Sequence, residues 1–149
     1  MTTETWVLVA DAAGARVLRA LAGKPAFELV SEETHEEGRA KPGELVSDRP
    51  GRSLDSTHAG GRHAMEPDTE LRRAELQRFV RRLAAMLDTA AGAGRFDELV
   101  LVAPPRFLGE LRAALPERAA GRVHREIDKD LAHLGEAELQ RRLADLLGP

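Results

Sequence analysis

The side chains most able to do chemistry are concentrated in residues 47–67, with the sequence SDRPGRSLDSTHAGGRHAMEP. This stretch combines guanidinium, imidazole and carboxylate groups, namely Arg49, Arg52, Arg62, His58, His63, Asp48, Asp55 and Glu66. Its few apolar residues follow neither a helical nor a strand period, which predicts a loop. Long loops in compact domains are often functional, so we expect the candidate site here.

One possible chemistry of this stretch is metal binding. His58, His63, Asp55 and Glu66 are residue types that suit zinc or manganese. Their spacing matches no established metal motif, and solvated loop histidines are the simpler interpretation. We therefore predict that the protein needs no metal or other cofactor.

A second possible chemistry is anion binding by arginine, because guanidinium binds phosphate and carboxylate groups bidentately. The alternative is that the arginines pair with the acids of the same loop and order it. We predict that Asp48, Arg49 and Arg52 hold the loop in one conformation. Arg62 and His63 then face a partner beside a mobile tip at Gly60 and Gly61, where the backbone can approach a ligand closely.

The apolar pattern predicts the element order βββ, long loop, α, β, α, β, α. Strands are expected at residues 5–10, 15–22, 26–31, 99–103 and 123–127, and a final helix at 136–147. The long helix is expected to begin at Pro67, with Asp68 or Thr69 as its cap, and to end in residues 90–94. A shorter helix carries Phe107 and Leu115.

These elements predict one α/β domain over residues 1–149, with a mixed five-stranded sheet of order 3-2-1-4-5, helices packed on it, and a long loop at about 32–67. Strands 1 and 4 then form a topological switch point. Asp11, Arg106 and Lys129 follow the carboxyl ends of three strands and are candidate binding residues. For Asp11 the alternative is a turn former that bonds its own backbone.

Composition limits the classes of function. A net charge of −3 provides no global basic field for nucleic acid, and the absence of cysteine excludes disulfides and thiolate chemistry. The N-terminus lacks the features of a signal peptide, and no apolar run could span a membrane, so we expect a soluble cytoplasmic protein. The arginines of the long helix are predicted to form a solvated basic face, although an RNA backbone would also fit it.

Several segments resemble the bacterial host attachment protein family over nearly the whole chain. They are WVLVADAAGARVLRA, SDRPGRSLDS, RHAMEP, LVLVAPPRFLGELR and EIDKDLAHL. That family is similar to the middle domain of archaeal and eukaryotic class-1 peptide chain release factors. The resemblance implies an RNase H-like α/β fold, in agreement with the sheet order above.

In release factors, a G-G-Q tripeptide before a long helix helps water to attack the peptidyl-tRNA ester. The resemblance places Gly60, Gly61 and Arg62 at that tripeptide, with Arg62 in place of the glutamine, and His63 beside it. Arginine is permanently charged and has no hydrogen-bond acceptor, so standard release chemistry is not expected. No other nucleophile or phosphate-binding motif appears, and whether the protein is an enzyme stays open.

Three hypotheses of function follow. The leading one is a cytoplasmic release-factor-like domain that acts on ribosomes or RNA, in rescue or regulation. The alternative is a non-enzymatic interaction protein that affects attachment to host cells indirectly, without entering a membrane. The third is a metal-dependent hydrolase or nuclease, for which Asp11 lacks convincing partner carboxylates.

Overall fold

The computed structural model describes residues 3–35 and 60–148, with the backbone alone for residues 60–68. The described elements, in chain order, are β1 (Thr5–Asp11), β2 (Gly14–Ala20), β3 (Phe27–Thr34), α1 (Gly60–Gly92), β4 (Glu98–Ala103), α2 (Pro105–Ala114), α3 (Glu117–Ala120), β5 (Val123–Asp128) and α4 (Glu136–Leu147).

The strands form a mixed sheet of order β3-β2-β1-β4-β5, which confirms the predicted fold class and strand order. β1 pairs antiparallel with β2 and parallel with β4, and β4 pairs parallel with β5. β4 is therefore interior, as its unbroken apolar sequence predicted, and β1 occupies the centre of the sheet.

Both faces of the sheet are covered, because β1 and β4 are apolar on both sides. Trp6, Leu8 and Leu101 lie on one face and pack with Phe79 and Leu83 of α1. The opposite face carries apolar residues of the same strands and packs with α4; its members include Val7, Val9, Val100, Val102, Leu139 and Leu143. The result is a three-layer arrangement with helices on both sides of the sheet.

The edge strand β3 contains a bulge. Val17 pairs with Ser31 and Leu18 pairs with Leu29, so Val30 has no partner in β2. The extra residue interrupts the regular alternation of the strand and changes the side to which later side chains point. Val30 packs against the core and Leu29 is 48% exposed.

A side chain of α4 is bonded to the backbone of β3. Gln140 Nε2 donates to the carbonyl oxygen of Phe27 at 2.7 Å, and the Phe27 amide donates to Gln140 Oε1 at 2.9 Å. The backbone amide and carbonyl of Phe27 thus both have hydrogen-bond partners at the free edge of the sheet. The same two hydrogen bonds fix α4 to β3.

The long helix begins earlier than predicted. α1 starts at Gly60 and continues through Pro67, so the expected start at Pro67 and the expected caps Asp68 and Thr69 are wrong. Proline removes one intrahelical hydrogen bond. Once the later turns are fixed against the sheet, however, each added residue extends an existing helix instead of nucleating one. The predicted helix end is confirmed, with Gly94 at φ 73° just beyond it.

The predicted loop at about 32–67 is occupied by regular structure at both ends. β3 extends to Thr34 and α1 begins at Gly60. Gly60 and Gly61, expected at a loop tip, are therefore helical in backbone. The candidate residues Asp48, Arg49 and Arg52 lie outside the residues that the structure describes.

Candidate functional site

Three parallel strands end at the same edge of the sheet, and a pocket of about 290 Å³ opens there. β1 leaves this edge toward β2 and β4 leaves it toward β5, which is the predicted topological switch point. The pocket is lined by Ala12 after β1, His35 after β3, residues of α1 and residues of α2; those with polar side chains are His35, Thr69, Arg72, Arg73, Glu75, Arg106 and Glu110. We call it the carboxyl-edge pocket.

The charges of the carboxyl-edge pocket are predominantly positive. Glu75 forms an ion pair with Arg78, outside the lining. Arg73 and Arg106 are exposed, and neither forms an ion pair with a side chain in residues 3–35 or 69–148. The lining thus holds three guanidinium groups, those of Arg72, Arg73 and Arg106, and two carboxylates, those of Glu75 and Glu110.

His35 forms a buried wall of this pocket and is 4% exposed. Its Nδ1 lies 2.7 Å from the carbonyl oxygen of Ala12. A carbonyl only accepts, so Nδ1 carries a hydrogen and donates it. The His35 amide donates to the carbonyl of Ala13 at 3.0 Å, and the ring stacks on Phe79. The imidazole is thus fixed by the β1–β2 turn on one side and by α1 on the other.

Among the described side chains, Arg106 is the one sequence-predicted binding residue that lines the pocket. It lies in the first turn of α2, which begins after Pro104 without a side-chain cap. The amide groups at such a helix start carry a partial positive charge, which adds to that of the guanidinium.

Asp11 occupies the turn after β1 and does not line the pocket. Its Oδ1 accepts hydrogen bonds from the amides of Ala13 at 2.9 Å and Gly14 at 3.2 Å. The turn-forming alternative considered for Asp11 is therefore confirmed, whereas its role in binding stays a prediction. Asp11 borders a separate cavity of about 300 Å³ near Arg16 and His133.

Comparison with known families gives one match. A family described as "Protein required for attachment to host cells" matches residues 6–143. The chain belongs to this family. A search of the curated proteins gave no match.

The other candidate residues of this host attachment family member lie apart from the pocket or outside the described side chains. Lys129 is exposed beyond β5, where its amide donates to the carbonyl of Ile127 at 3.0 Å. Gly60, Gly61, Arg62 and His63 begin α1, and the structure describes only their backbone. Their proposed roles stay predictions.

Sequence reasoning assigned only Arg106 of the polar lining to a binding site, and the residues that it missed include His35, Arg72 and Arg73. His35 falls in the predicted long loop at about 32–67, and Arg72 and Arg73 were expected on a solvated helix face. A usable signal was the position of His35 just beyond β3, at the edge where strand ends gather. Two further arginines of α1 make intramolecular contacts: Arg78 pairs with Glu75, and Arg82 lies over the Phe79 ring at 5.1 Å.

Metal binding and membrane insertion find no support in the described part of the chain. No group of three or more histidine and acidic side chains there could hold a metal ion. His58 lies outside the described residues and the His63 side chain is not described, so the absence of a metal stays a prediction. Among the described helices, none has the length and apolarity to span a membrane.

Proposed function

We propose that this member of the host attachment family is a non-enzymatic interaction protein that affects attachment indirectly, by binding a ligand in the carboxyl-edge pocket. The family description supports the link to attachment. The observation that carries the binding role is the convergence of Arg72, Arg73 and Arg106, from two helices, on one crevice at the ends of three strands.

The chemistry of the lining favours recognition over catalysis. A guanidinium group stays charged and donates hydrogen bonds without accepting a proton. The His35 ring donates its Nδ1 hydrogen to the Ala12 carbonyl and is held against Phe79, so it forms a fixed wall of the pocket. Guanidinium groups in such a crevice suit binding of an anion.

A complementation experiment tests the role of the pocket. Cells lacking the protein receive the wild type, the double variant Arg73→Ala/Arg106→Ala, or the control Arg141→Ala, which removes an exposed arginine of α4. We expect the double variant to accumulate normally but fail to restore attachment, while the control restores it. Normal attachment with the double variant would show that attachment does not depend on the pocket.

A second experiment tests whether the effect is indirect. Purified protein is added to the medium of cells that lack it, and attachment is counted. We expect neither rescue nor competition, because the protein acts from the cells that make it. Rescue by added protein would show a direct adhesin.

The second candidate function is release-factor-like action on ribosomes or RNA. It is supported by the exposed arginines of α1, Arg73 and Arg81, on the helix that begins at Gly60 and Gly61. Co-sedimentation with ribosomes, compared between the wild type and Arg62→Ala, tests it. Salt-sensitive co-sedimentation that depends on Arg62 would favour this function over the first.

A further inference from the structure

We propose that a groove at the opposite edge of the sheet from the carboxyl-edge pocket binds an amphipathic anion, a linear hydrocarbon chain that ends in one carboxylate or sulfate group. The groove lies where β1, β4 and β5 begin, and we call it the amino-edge groove. Its volume of about 610 Å³ is within the range of small-molecule sites.

The amino-edge groove crosses the full width of the sheet. Its lining begins at Phe27 of β3, includes residues of β2 and β1, and ends at Glu98 of β4 and His124 of β5. Neighbouring strands lie about 4.8 Å apart, so the four steps from β3 to β5 cover roughly 19 Å. Ala144 and Leu147, at the end of α4, also line the groove. Such a shape fits an elongated ligand better than a compact one.

The lining favours an apolar body for the ligand, because the core between the sheet and α4 reaches the solvent here. Val100 is buried in that core, and Phe27 and Leu147 pack against it while they stay partly exposed. The backbone amide and carbonyl of Phe27 are already bonded to Gln140, so neither is available to a bound peptide. A peptide backbone needs hydrogen-bond partners when it is buried, whereas a hydrocarbon chain needs none.

The charged side chains of the lining favour an anionic group on this ligand. They are two cations, Lys24 and Arg125, one carboxylate, Glu98, and His124, which adds a positive charge when it is protonated. Within residues 3–35 and 69–148, neither Lys24 nor Arg125 forms an ion pair. With Glu98 included, two cations against one carboxylate leave the lining with an excess of positive charge.

Arg125 is the residue best placed to bind the anionic group. Its Nη1 donates to the carbonyl oxygen of Leu146 at 3.2 Å, which holds the guanidinium group and leaves further N–H donors for a ligand. Guanidinium groups bind carboxylate oxygens bidentately. Glu98 contacts the hydroxyl of Thr5 on β1, the neighbour of β4 on the side away from β5. The anionic group therefore binds at the β5 end, and the hydrocarbon chain extends toward Phe27.

Calorimetric titration of the full-length protein with matched probes tests the ligand class. The probes are decanoate, decyl sulfate, decan-1-ol and decyltrimethylammonium, each below its critical micelle concentration. We expect decanoate or decyl sulfate to bind at least about tenfold more tightly than the alcohol and the cation. Tighter binding of decanoate than of decyl sulfate identifies a carboxylate as the anionic group, and the reverse identifies a sulfate.

The length of the hydrocarbon chain provides a second measurement. From hexanoate to octanoate to decanoate, affinity should rise about two- to fourfold with each methylene that enters the groove. Equal affinity for hexanoate and decanoate, equal binding of decanoate and decan-1-ol, or no binding of either anion would overturn the inference.

Variants locate the binding. Arg125→Ala should weaken decanoate about tenfold or more and leave decan-1-ol unchanged, and Lys24→Ala should have a smaller effect. Ala144→Leu should weaken both probes because it fills part of the groove, whereas Ala113→Leu, at an exposed position of α2, should weaken neither. Unchanged binding of decanoate by Arg125→Ala, or a larger loss with Lys24→Ala, would contradict the assigned site.

One further variant separates this groove from the carboxyl-edge pocket. Arg73→Ala/Arg106→Ala changes the lining of that pocket alone, so its affinity for decanoate should equal that of the wild type. Loss of decanoate binding in this double variant would assign the anion to the carboxyl-edge pocket and overturn the inference.

Discussion

The imidazole of His35 and the ring of Phe79 lie face to face, with centroids 4.5 Å apart and planes 7° from parallel. Phe79 belongs to the main core, whereas His35 borders the carboxyl-edge pocket. One aromatic contact therefore joins the wall of the candidate site to the core. The shape of the pocket depends on the packing of α1 against the sheet.

His35→Ala should destabilise the protein by about 1–3 kcal/mol, because it removes the stacked ring and the hydrogen bond to Ala12. His35→Phe keeps an aromatic ring and should lose less. Urea unfolding followed by circular dichroism measures both. Equal stability of the alanine variant and the wild type would show that the contact contributes nothing.

Two glycine-to-alanine variants should change stability in opposite directions. A Cβ at Gly14 would lie 2.8 Å from the backbone oxygen of Glu33, which can move only with β3. Gly14→Ala should cost about 1–3 kcal/mol. Gly109 lies within α2, and a Cβ there meets nothing within 4 Å. Gly109→Ala should therefore stabilise by about 0.5–1 kcal/mol. The melting temperatures of both variants, measured side by side with the wild type, test this prediction. A change in the same direction for both variants would contradict it.

The ion pair between Arg112 and Glu126 should make stability depend on acid pH. The hydrogen bond from Arg112, and then its charge, hold the pKa of the Glu126 carboxyl below its ordinary value of 4.5. A lowered folded-state pKa stabilises the protein above the unfolded value, and that contribution is lost as the pH falls through the folded value.

The difference in unfolding free energy between the wild type and Glu126→Gln should therefore be present at pH 7, shrink as the pH falls below the ordinary pKa of 4.5, and vanish below the lowered folded-state pKa. Its size should stay under about 1 kcal/mol because the pair is largely exposed. Urea unfolding at a series of pH values measures it. In an Arg112→Gln background the pH-dependent difference should disappear; its persistence would assign the effect to another partner.

Gln140→Glu should destabilise the protein by about 1–2 kcal/mol at pH 7, because a carboxylate cannot donate to the carbonyl of Phe27. The loss should shrink in acid, where a protonated carboxyl regains a donor. Gln140→Ala loses both bonds at every pH and should show no such recovery. Chemical unfolding at pH 5 and pH 7 separates the two variants.

The sequence predicted the sheet well because its central strands carry an unambiguous signal. β1 and β4 are apolar on both faces, and short turns join the first three strands, so strand order followed from connection rules. The predicted start of the long helix at Pro67 was wrong. The local preference of proline for a helix start was outweighed, because the helix is fixed by its later turns and extends through this residue.

The pocket was harder to predict than the sheet. Arg106 was found from its place after β4, since the carboxyl ends of parallel strands gather at one edge. His35 could have been found in the same way from its place just beyond β3, whereas Arg73 is brought there by tertiary packing, which no local pattern encodes. The bulge at Val30 was likewise invisible, because the hydrophobic pattern alone does not show where an extra residue is inserted.

The two hydrogen bonds between Gln140 and Phe27 also bear on self-association. An exposed strand edge can template the addition of a strand from another molecule, which is a common start of aggregation. Gln140 uses both the donor and the acceptor of Phe27, the first residue of β3. The amide side chain of Gln140 thereby blocks this end of the edge strand. An incoming chain would have to displace Gln140 before it could pair with Phe27.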